Sequence, residues 1–296
     1  MATTLAEGWY IDGVRLDRYA VVDDNNGVSL NDRAGWDDVP GLRGENVTLL
    51  GRHGELWRRK TYGPGRKTLN LTVHGTSEDG WTVPSTDRLQ RAAYEEALDA
   101  LLRIFAPRHR LLSVERVHAN GDRRQADCEV TSVIAPEAVG MTAGRLSVEL
   151  VIPGSFWEDV DPISYRLPYN TTTGGSQDLE VYSLAGQTAP CADAVVTITG
   201  PCSTVSVNDT ETGSGFTYAV AISAGHTLTV DAGAFTAVLD DGTPASVITD
   251  LELADQQLLE IVPAPALDRG PEVTVVTTGA SSGFTVVFET RRKWLR

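Results

Sequence analysis

The sequence predicts a mainly β protein of two domains, an N-terminal α+β domain followed by an antiparallel β-sandwich or jelly roll. Three observations support this fold class. At about 150 residues per domain, 296 residues correspond to two domains rather than one. A single segment has the apolar spacing of an amphipathic helix. Elsewhere, apolar and polar residues alternate with the period of two that a half-buried strand requires.

The composition changes near residue 160, which predicts a domain boundary there. Residues 161–296 contain 6 Lys and Arg against 16 Asp and Glu, and four of those six bases fall in the last six residues. Pro168 and the small polar residues at 170–176 are typical of a linker. We therefore predict an N-terminal domain over 1–160 and a C-terminal domain over 161–296, with a linker at about 161–180.

The N-terminal domain is predicted to combine strands with one helix over about 87–105. Apolar residues recur there at helical spacing and form one stripe that can be buried. Ser85 and Asp87 supply start signals, and Pro107 ends the helix.

Two hairpins are predicted in the same domain. Segments 110–118 and 123–134 flank Asn120-Gly121, a dipeptide suited to the positive φ of a tight turn. Upstream, residues 47–60 and the turn Gly63-Pro64-Gly65 predict a long hairpin arm. The arm is unusually basic for an acidic chain, and its bases are Arg52, Arg58, Arg59, Lys60, Arg66 and Lys67.

The C-terminal domain shows period two almost throughout. About eight short strands separated by turn residues are typical of an antiparallel sandwich or jelly roll. Residues 251–259 are ambiguous between helix and strand. The predicted strands are 194–199, 204–208, 216–222, 227–231, 234–239, 258–262, 273–277 and 284–289.

Charge and motifs exclude several classes of function. The net charge of -15 argues against tight nucleic-acid binding, because an acidic surface repels phosphate. No apolar run approaches the roughly 18 residues of a membrane span, and the N-terminus has no signal-peptide core. We therefore expect a protein made in a cytosol and not inserted into a membrane. Motifs for a hydrolase nucleophile, a phosphate loop or a metal site are missing, so we predict no enzyme, no cofactor and no metal.

The three cysteines, Cys128, Cys191 and Cys202, are too few for a disulfide framework. Buried thiols are the simpler interpretation. A Cys191–Cys202 disulfide across neighbouring strands is the alternative.

The sequence ends in a basic segment that contains a large aromatic residue, Arg291-Arg-Lys-Trp294-Leu295-Arg296. We expect Trp294 and Leu295 to dock as a last strand segment or at an interface, because exposing both would be costly. A solvated end is the alternative.

Taken in order along the chain, these features resemble the distal tail proteins of long-tailed, non-contractile bacteriophages, especially the type in phages of actinobacteria. The helix before the strand that begins near His109 contributes to the resemblance. The other parts of it are the arm at 51–60, the turn Tyr62-Gly-Pro-Gly65, the alternation at 69–73, the junction Pro153-Gly-Ser-Phe156-Trp157 and the closing Arg292-Lys-Trp294-Leu295.

The resemblance implies a tail-tube-like N-terminal domain, a β-sandwich with one helix and a long hairpin arm, followed by a galectin-like sandwich. It implies a structural virion protein that forms a six-fold ring at the tail tip, joins the tail tube to the hub or baseplate and lets DNA pass. The implied partners are other copies of the chain, the tail-tube protein, the hub protein, and tape-measure or receptor-binding proteins.

A ring of identical subunits needs two different surfaces that fit each other. A basic arm on one copy can meet an acidic surface on the next copy. The interface residues expected on this basis are Arg52, Trp57, Arg58, Arg59, Lys60, Arg66 and Lys67 of the arm and Arg292 and Trp294 of the tail.

The alternative function is a glycan-binding module for host-surface recognition, since many lectins are jelly rolls. Sugar sites usually stack a pyranose on an exposed aromatic ring, and Trp is absent from residues 161–293. Core packing, or a strand face with polar tips, explains the aromatic residues on the predicted strands, which are Phe216, Tyr218, Phe235, Phe284 and Phe288. Oligomeric state separates this alternative from the ring.

Overall fold

The computed structural model describes residues 7–16, 28–32, 38–48, 55–56, 58–75, 84–106, 109–132, 136–172, 175–242, 245–254, 258–266 and 268–296. The chain divides into two compact units. One comprises Met1–Val160 with Leu295–Arg296, and the other comprises Asp161–Trp294.

The N-terminal unit is built on antiparallel strands. They are β1 (Gly8–Ile11), β2 (Val14–Arg15), β3 (Val28–Asp32), β4 (Leu42–Arg43), β5 (Val47–Thr48), β6 (Glu55–Leu56), β7 (Thr61–Tyr62), β8 (Gly65–His74), β9 (Leu112–Val117), β10 (Arg123–Val130), β11 (Glu137–Ala138), β12 (Ala143–Ile152) and β13 (Trp157–Asp159). Neighbouring strands of the main sheet follow the order β2-β1-β9-β10-β12-β8-β3. In addition, β11 pairs with β12, and β13 pairs with β10. Residues 123–128 of β10 pair with β9 and residues 129–130 pair with β12, so this strand belongs to both halves of the sheet.

A helix, α1, spans Asp87–Phe105, the segment in which apolar spacing predicted it. Thr86 caps it: its backbone is extended and its hydroxyl accepts a hydrogen bond from the Leu89 amide. Leu101 and Phe105 are the buried residues of the last turns. In the described part of the chain, no helix is long and apolar enough to cross a membrane.

Strands β9 and β10 form the hairpin predicted around Asn120-Gly121. Gly121 has a φ of 88°, a left-handed conformation that glycine adopts without steric cost. The Asp122 amide donates to the Asn120 side-chain oxygen at 3.1 Å and closes the turn. The prediction of this hairpin is confirmed.

The C-terminal unit is a sandwich of two antiparallel sheets. Short 3₁₀ helices lie at Tyr182–Leu184 and Ile248–Asp250. The strands are β14 (Ile163–Arg166), β15 (Gly175–Glu180), β16 (Val195–Thr199), β17 (Thr204–Asp209), β18 (Gly215–Tyr218), β19 (Thr227–Asp231), β20 (Thr236–Asp240), β21 (Ala245–Ser246), β22 (Leu251–Ala254), β23 (Glu272–Thr278), β24 (Thr285–Thr290) and β25 (Lys293–Trp294).

One sheet runs β14-β24-β16-β19-β20-β21 and the other runs β15-β23-β17-β18-β22. Alternate residues of both sheets form one apolar core, in which Val196, Phe216 and Phe288 are fully buried. The period-two prediction of a mainly β fold with a C-terminal sandwich is therefore confirmed.

The predicted linker at 161–180 is wrong in part, because it contains two strands. Strand β14 pairs with β24 and strand β15 pairs with β23, so each closes one end of a sheet. Pro168 and the start of the polar run lie between these two strands. Strand β15 buries only Leu179 and so carries little apolar alternation.

Two other segments differ from the prediction. Residues 258–262 do not form a strand, and Ile261 makes an isolated bridge to Cys191. The ambiguous segment at 251–259 begins with the strand β22.

All three cysteines are free and buried, as the simpler interpretation predicted. The backbone of Cys191 forms an isolated β-bridge with Ile261, and that of Cys202 forms one with Ile222. The two thiols therefore lie opposite different residues and do not form a disulfide.

Candidate assembly interface

The basic arm is a hairpin of two short antiparallel ladders, β4 with β7 and β5 with β6. The connection from β5 to β6, at 49–54, lies outside the described residues. Gly63-Pro64-Gly65 leads from β7 into β8. These residues therefore form the base of the hairpin, and the expectation that they are its turn is corrected.

The base of the hairpin is anchored to the N-terminal unit by two contacts. The rings of Tyr62 and Phe156 meet edge to face with their centroids 5.1 Å apart. Lys67 is buried on β8, and its Nζ donates to the carbonyl oxygen of Asp38 at 2.9 Å. An anchored base limits the conformational freedom that the hairpin would lose on binding a partner.

Beside this base lies a groove of about 400 Å³. Val39 and Leu42 line it and are 53% and 62% exposed. Arg43 and Arg66 also line it. Apolar side chains beside arginine are a composition that protein–protein interfaces favour.

The predicted interface residues of the hairpin are only partly described. Arg52 and Trp57 lie outside the described residues. Arg58 and Arg59 are exposed and Lys60 is half-buried, all three just before β7. The hairpin therefore presents at least two guanidinium groups.

Two further predicted residues lie on β8 rather than on the hairpin. Arg66 is exposed beside the groove. Lys67 points inward and fastens the segment before β4, so in this chain its ammonium group has a structural role.

The predicted interface residues of the tail, Arg292 and Trp294, belong to the C-terminal unit. The Arg292 guanidinium lies 5.3 Å from the centroid of the half-buried Trp294 ring, a cation–π contact. Lys293 Nζ pairs with Asp193 at 2.5 Å, and its carbonyl accepts from the Thr188 amide at 3.0 Å. The expectation that this segment docks as a last strand is confirmed, and a solvated end is excluded.

Sequence reasoning missed three exposed apolar or aromatic groups. Val39 and Leu42 belong to no periodic segment, and no pattern in the sequence marks them as a surface. Phe235 was expected in the core but is 54% exposed, with a φ of 55°. Phe235 lies two residues before the buried Ala237, so alternation along a strand would place both side chains on the same buried face. The strand begins only at Thr236, however, and Phe235 belongs to the turn before it.

The other four aromatic residues assigned to the core are buried, as predicted: Phe216, Tyr218, Phe284 and Phe288. Among the described residues, no three His, Cys, Asp or Glu side chains lie close enough together to hold a metal ion.

The sequence matches no protein-family model and no curated protein. The structure is similar to the crystal structure of the SPP1 Dit (gp 19.1) protein, described as a paradigm of the hub adsorption apparatus in phages that infect Gram-positive bacteria. The TM-score is 0.60 at 9% identity, and the match covers 97% of this chain and 99% of that chain. At this identity the similarity shows a shared fold.

Two chains of the phage p2 baseplate in its activated conformation also match, over 90% of both chains in each case. The chain from the structure with Sr has a TM-score of 0.31 at 10% identity. The chain from the structure with Ca has a TM-score of 0.33 at 8% identity.

Proposed function

We propose that this chain is a distal tail protein, a structural and non-catalytic component of a phage virion. In this proposal six copies form a ring at the tail tip, which joins the tail tube to the hub or baseplate and lets DNA pass. The observation that carries the proposal is the fold shared with the SPP1 Dit protein over 97% of this chain. A fold alone does not fix a function, so the surfaces of the chain must also suit the role.

The hairpin supports self-assembly. Arg58 and Arg59 are exposed on a chain whose net charge is -15. A ring requires heterologous contacts, in which one surface of a subunit meets a different surface of the next. Basic side chains on an acidic protein provide such a pair of surfaces, because the hairpin of one copy is attracted to its neighbour.

The overall charge supports the passage of DNA. A channel built from an acidic chain offers few cations to the phosphates, so DNA can slide through it without being held. The tail-tube and hub proteins are the proposed neighbours of the ring, with tape-measure or receptor-binding proteins as further partners. The assignment to the type in phages of actinobacteria rests on the sequence resemblance.

Sedimentation velocity of the purified chain tests the role of the hairpin. The wild type is expected to form an oligomer. The variant Arg58→Glu/Arg59→Glu should lose it, and the loss should be largest at low salt, where charges are least screened. The control Arg145→Glu/Arg166→Glu makes the same change of net charge at two exposed positions outside the hairpin. An unchanged oligomer of the hairpin variant at every salt concentration would reject arm pairing.

A further inference from the structure

A pocket of about 310 Å³ opens on the loops that follow β17 and precede β23. Its apolar wall includes Val262 and Pro265, and its polar lining includes Thr210, Glu211 and Arg269. An apolar wall with a few convergent polar groups is the usual composition of a small-molecule site, and the volume is at the lower end of such sites.

One side of the pocket is fixed by a buried carboxylate. Asp209 Oδ1 accepts hydrogen bonds from the amide and the hydroxyl of Thr212, each at 2.7 Å. Its Oδ2 accepts from the Val262 amide at 3.3 Å. Asp209 is 1% exposed and so ties the loop after β17 to the apolar wall. The two walls are therefore in place before any ligand arrives.

The other side is fixed at Gly270, whose amide donates to Glu180 Oε1 at 2.6 Å. A Cβ on Gly270 would overlap the carbonyl oxygen of Val181, so only glycine allows this approach. The same Cβ position lies 2.8 Å from the Cα of Tyr182. The backbone of Tyr182, whose side chain is 63% exposed, therefore lies beside Gly270, which lines the pocket.

The polar lining offers both donors and acceptors of hydrogen bonds. Arg269 Nη2 pairs with Glu272 Oε1 at 2.6 Å, and both side chains remain accessible to solvent. A guanidinium has five N–H donors and a carboxylate about four acceptor sites, so this pair can bind a further group. The Thr210 side chain is exposed beside them.

We propose that this pocket binds one sugar ring of a surface polysaccharide, of the neutral or amino-sugar class. A pyranose has an apolar C–H face, which suits the proline-containing apolar wall. Its hydroxyl groups both donate and accept, as the Arg269–Glu272 pair requires. Asp209, Glu211 and Glu272 outnumber Arg269, so an anionic sugar would be repelled. The proposal is independent of ring assembly.

Ligand-observed saturation-transfer NMR on the full chain tests the site, with methyl glucoside, glucosamine and glucuronic acid as the probes. The neutral sugar and the amino sugar should bind, and the acid should not. Arg269→Gln and Thr210→Val should each weaken binding about tenfold, the effect of losing one good hydrogen bond to a ligand. Arg166→Gln and Thr236→Val make the same changes at exposed positions away from the pocket and should have no effect.

Several results would overturn the proposal. These are no binding of either expected probe, equal binding of glucuronic acid, or unchanged binding in Arg269→Gln and Thr210→Val. Circular dichroism of each variant establishes that it is folded. Imaging the same samples separates the two proposals, since rings that bind no sugar reject only the pocket and monomers that bind sugar reject only the ring.

Discussion

A Cβ placed on Gly144 of β12 would overlap the hydroxyl oxygen of Tyr94 on α1. A Cβ on Gly75, directly after β8, would overlap the backbone carbonyl of Gln90. The helix therefore lies close to the sheet at two places. At Gly75 the neighbouring atom is backbone, so only glycine leaves room there, whereas at Gly144 it is the end of the Tyr94 side chain. These contacts fix the position of α1 on the strands that follow the hairpin.

Gly75→Ala should destabilise the N-terminal unit, because the added methyl group meets backbone that cannot rotate away. The expected loss in the free energy of unfolding is about 1–3 kcal/mol, as for other overpacked sites. Urea unfolding followed by tryptophan fluorescence reports on this unit, since five of the six Trp lie in residues 1–160. Gly154→Ala is the control, as no atom lies within 4 Å of its Cβ. Equal stability of the two variants would contradict the close packing.

Lys67→Ala should loosen the base of the hairpin. The substitution removes the buried ammonium donor that reaches the carbonyl of Asp38, and losing a buried hydrogen bond of this kind costs about 1–3 kcal/mol. Arg66→Ala changes the exposed neighbour on the same strand and should cost less than about 0.5 kcal/mol. Urea unfolding compares the two, and a Lys67→Ala protein as stable as Arg66→Ala would show that Lys67 does not anchor the base.

Asp12 should give the fold part of its acid sensitivity. The Arg110 guanidinium donates to both Asp12 carboxylate oxygens, at 2.7 and 3.1 Å, and holds the pKa of that carboxyl below its ordinary value. The folded-state pKa is thus lower than the unfolded-state value. The charged form therefore stabilises the fold above the unfolded-state pKa, and this stabilisation is lost as the pH falls through the folded-state pKa.

The variant Asp12→Asn tests this linkage, and asparagine also tolerates the φ of 49° at this position. At neutral pH the wild type should be the more stable protein. Thermal unfolding measured from about pH 6 down to about pH 2 should show the two midpoints converging in acid. A difference that stays constant over the whole range would contradict a role for the charge.

The three thiols should be unreactive in the native protein. Burial raises the pKa of Cys191 to about 12, and burial likewise raises the pKa of Cys128 to about 12. The reactive thiolate is therefore scarce at pH 8. A colorimetric thiol reagent should label none of the cysteines within minutes in buffer and all three in denaturant. Rapid labelling of the native chain would show that these residues are accessible.

The sequence predicts most of the fold because much of the fold is periodic. The helix at 87–105 combines helical spacing with clear end signals, and the core strands alternate strictly. Strand β15 escapes prediction because it is an edge strand with one buried residue, Leu179. Phe235 was expected on the buried face of a strand that would begin at residue 234. The strand begins only at Thr236, so Phe235 lies in the preceding turn and is exposed.

The interface is harder to predict than the fold because its residues share no local pattern. Val39, Leu42 and Arg66 come together only when β8 returns past the start of the hairpin. Lys67 has the same charge as its neighbour Arg66, so both were predicted to lie at the interface. Alternation along β8 turns the Lys67 side chain inward, however, whereas that of Arg66 is exposed. The pocket proposed to bind sugar depends on glycine at 270 and on the Asp209 carboxylate buried between two loops, and neither has a sequence signature.

The central claim is that copies of this chain form a closed ring, and negative-stain electron microscopy of the purified protein tests it most directly. Class averages should show closed six-fold rings with a central opening, and native mass spectrometry should give six times the chain mass of 31.8 kDa. Single 31.8 kDa particles at all protein and salt concentrations would contradict the claim.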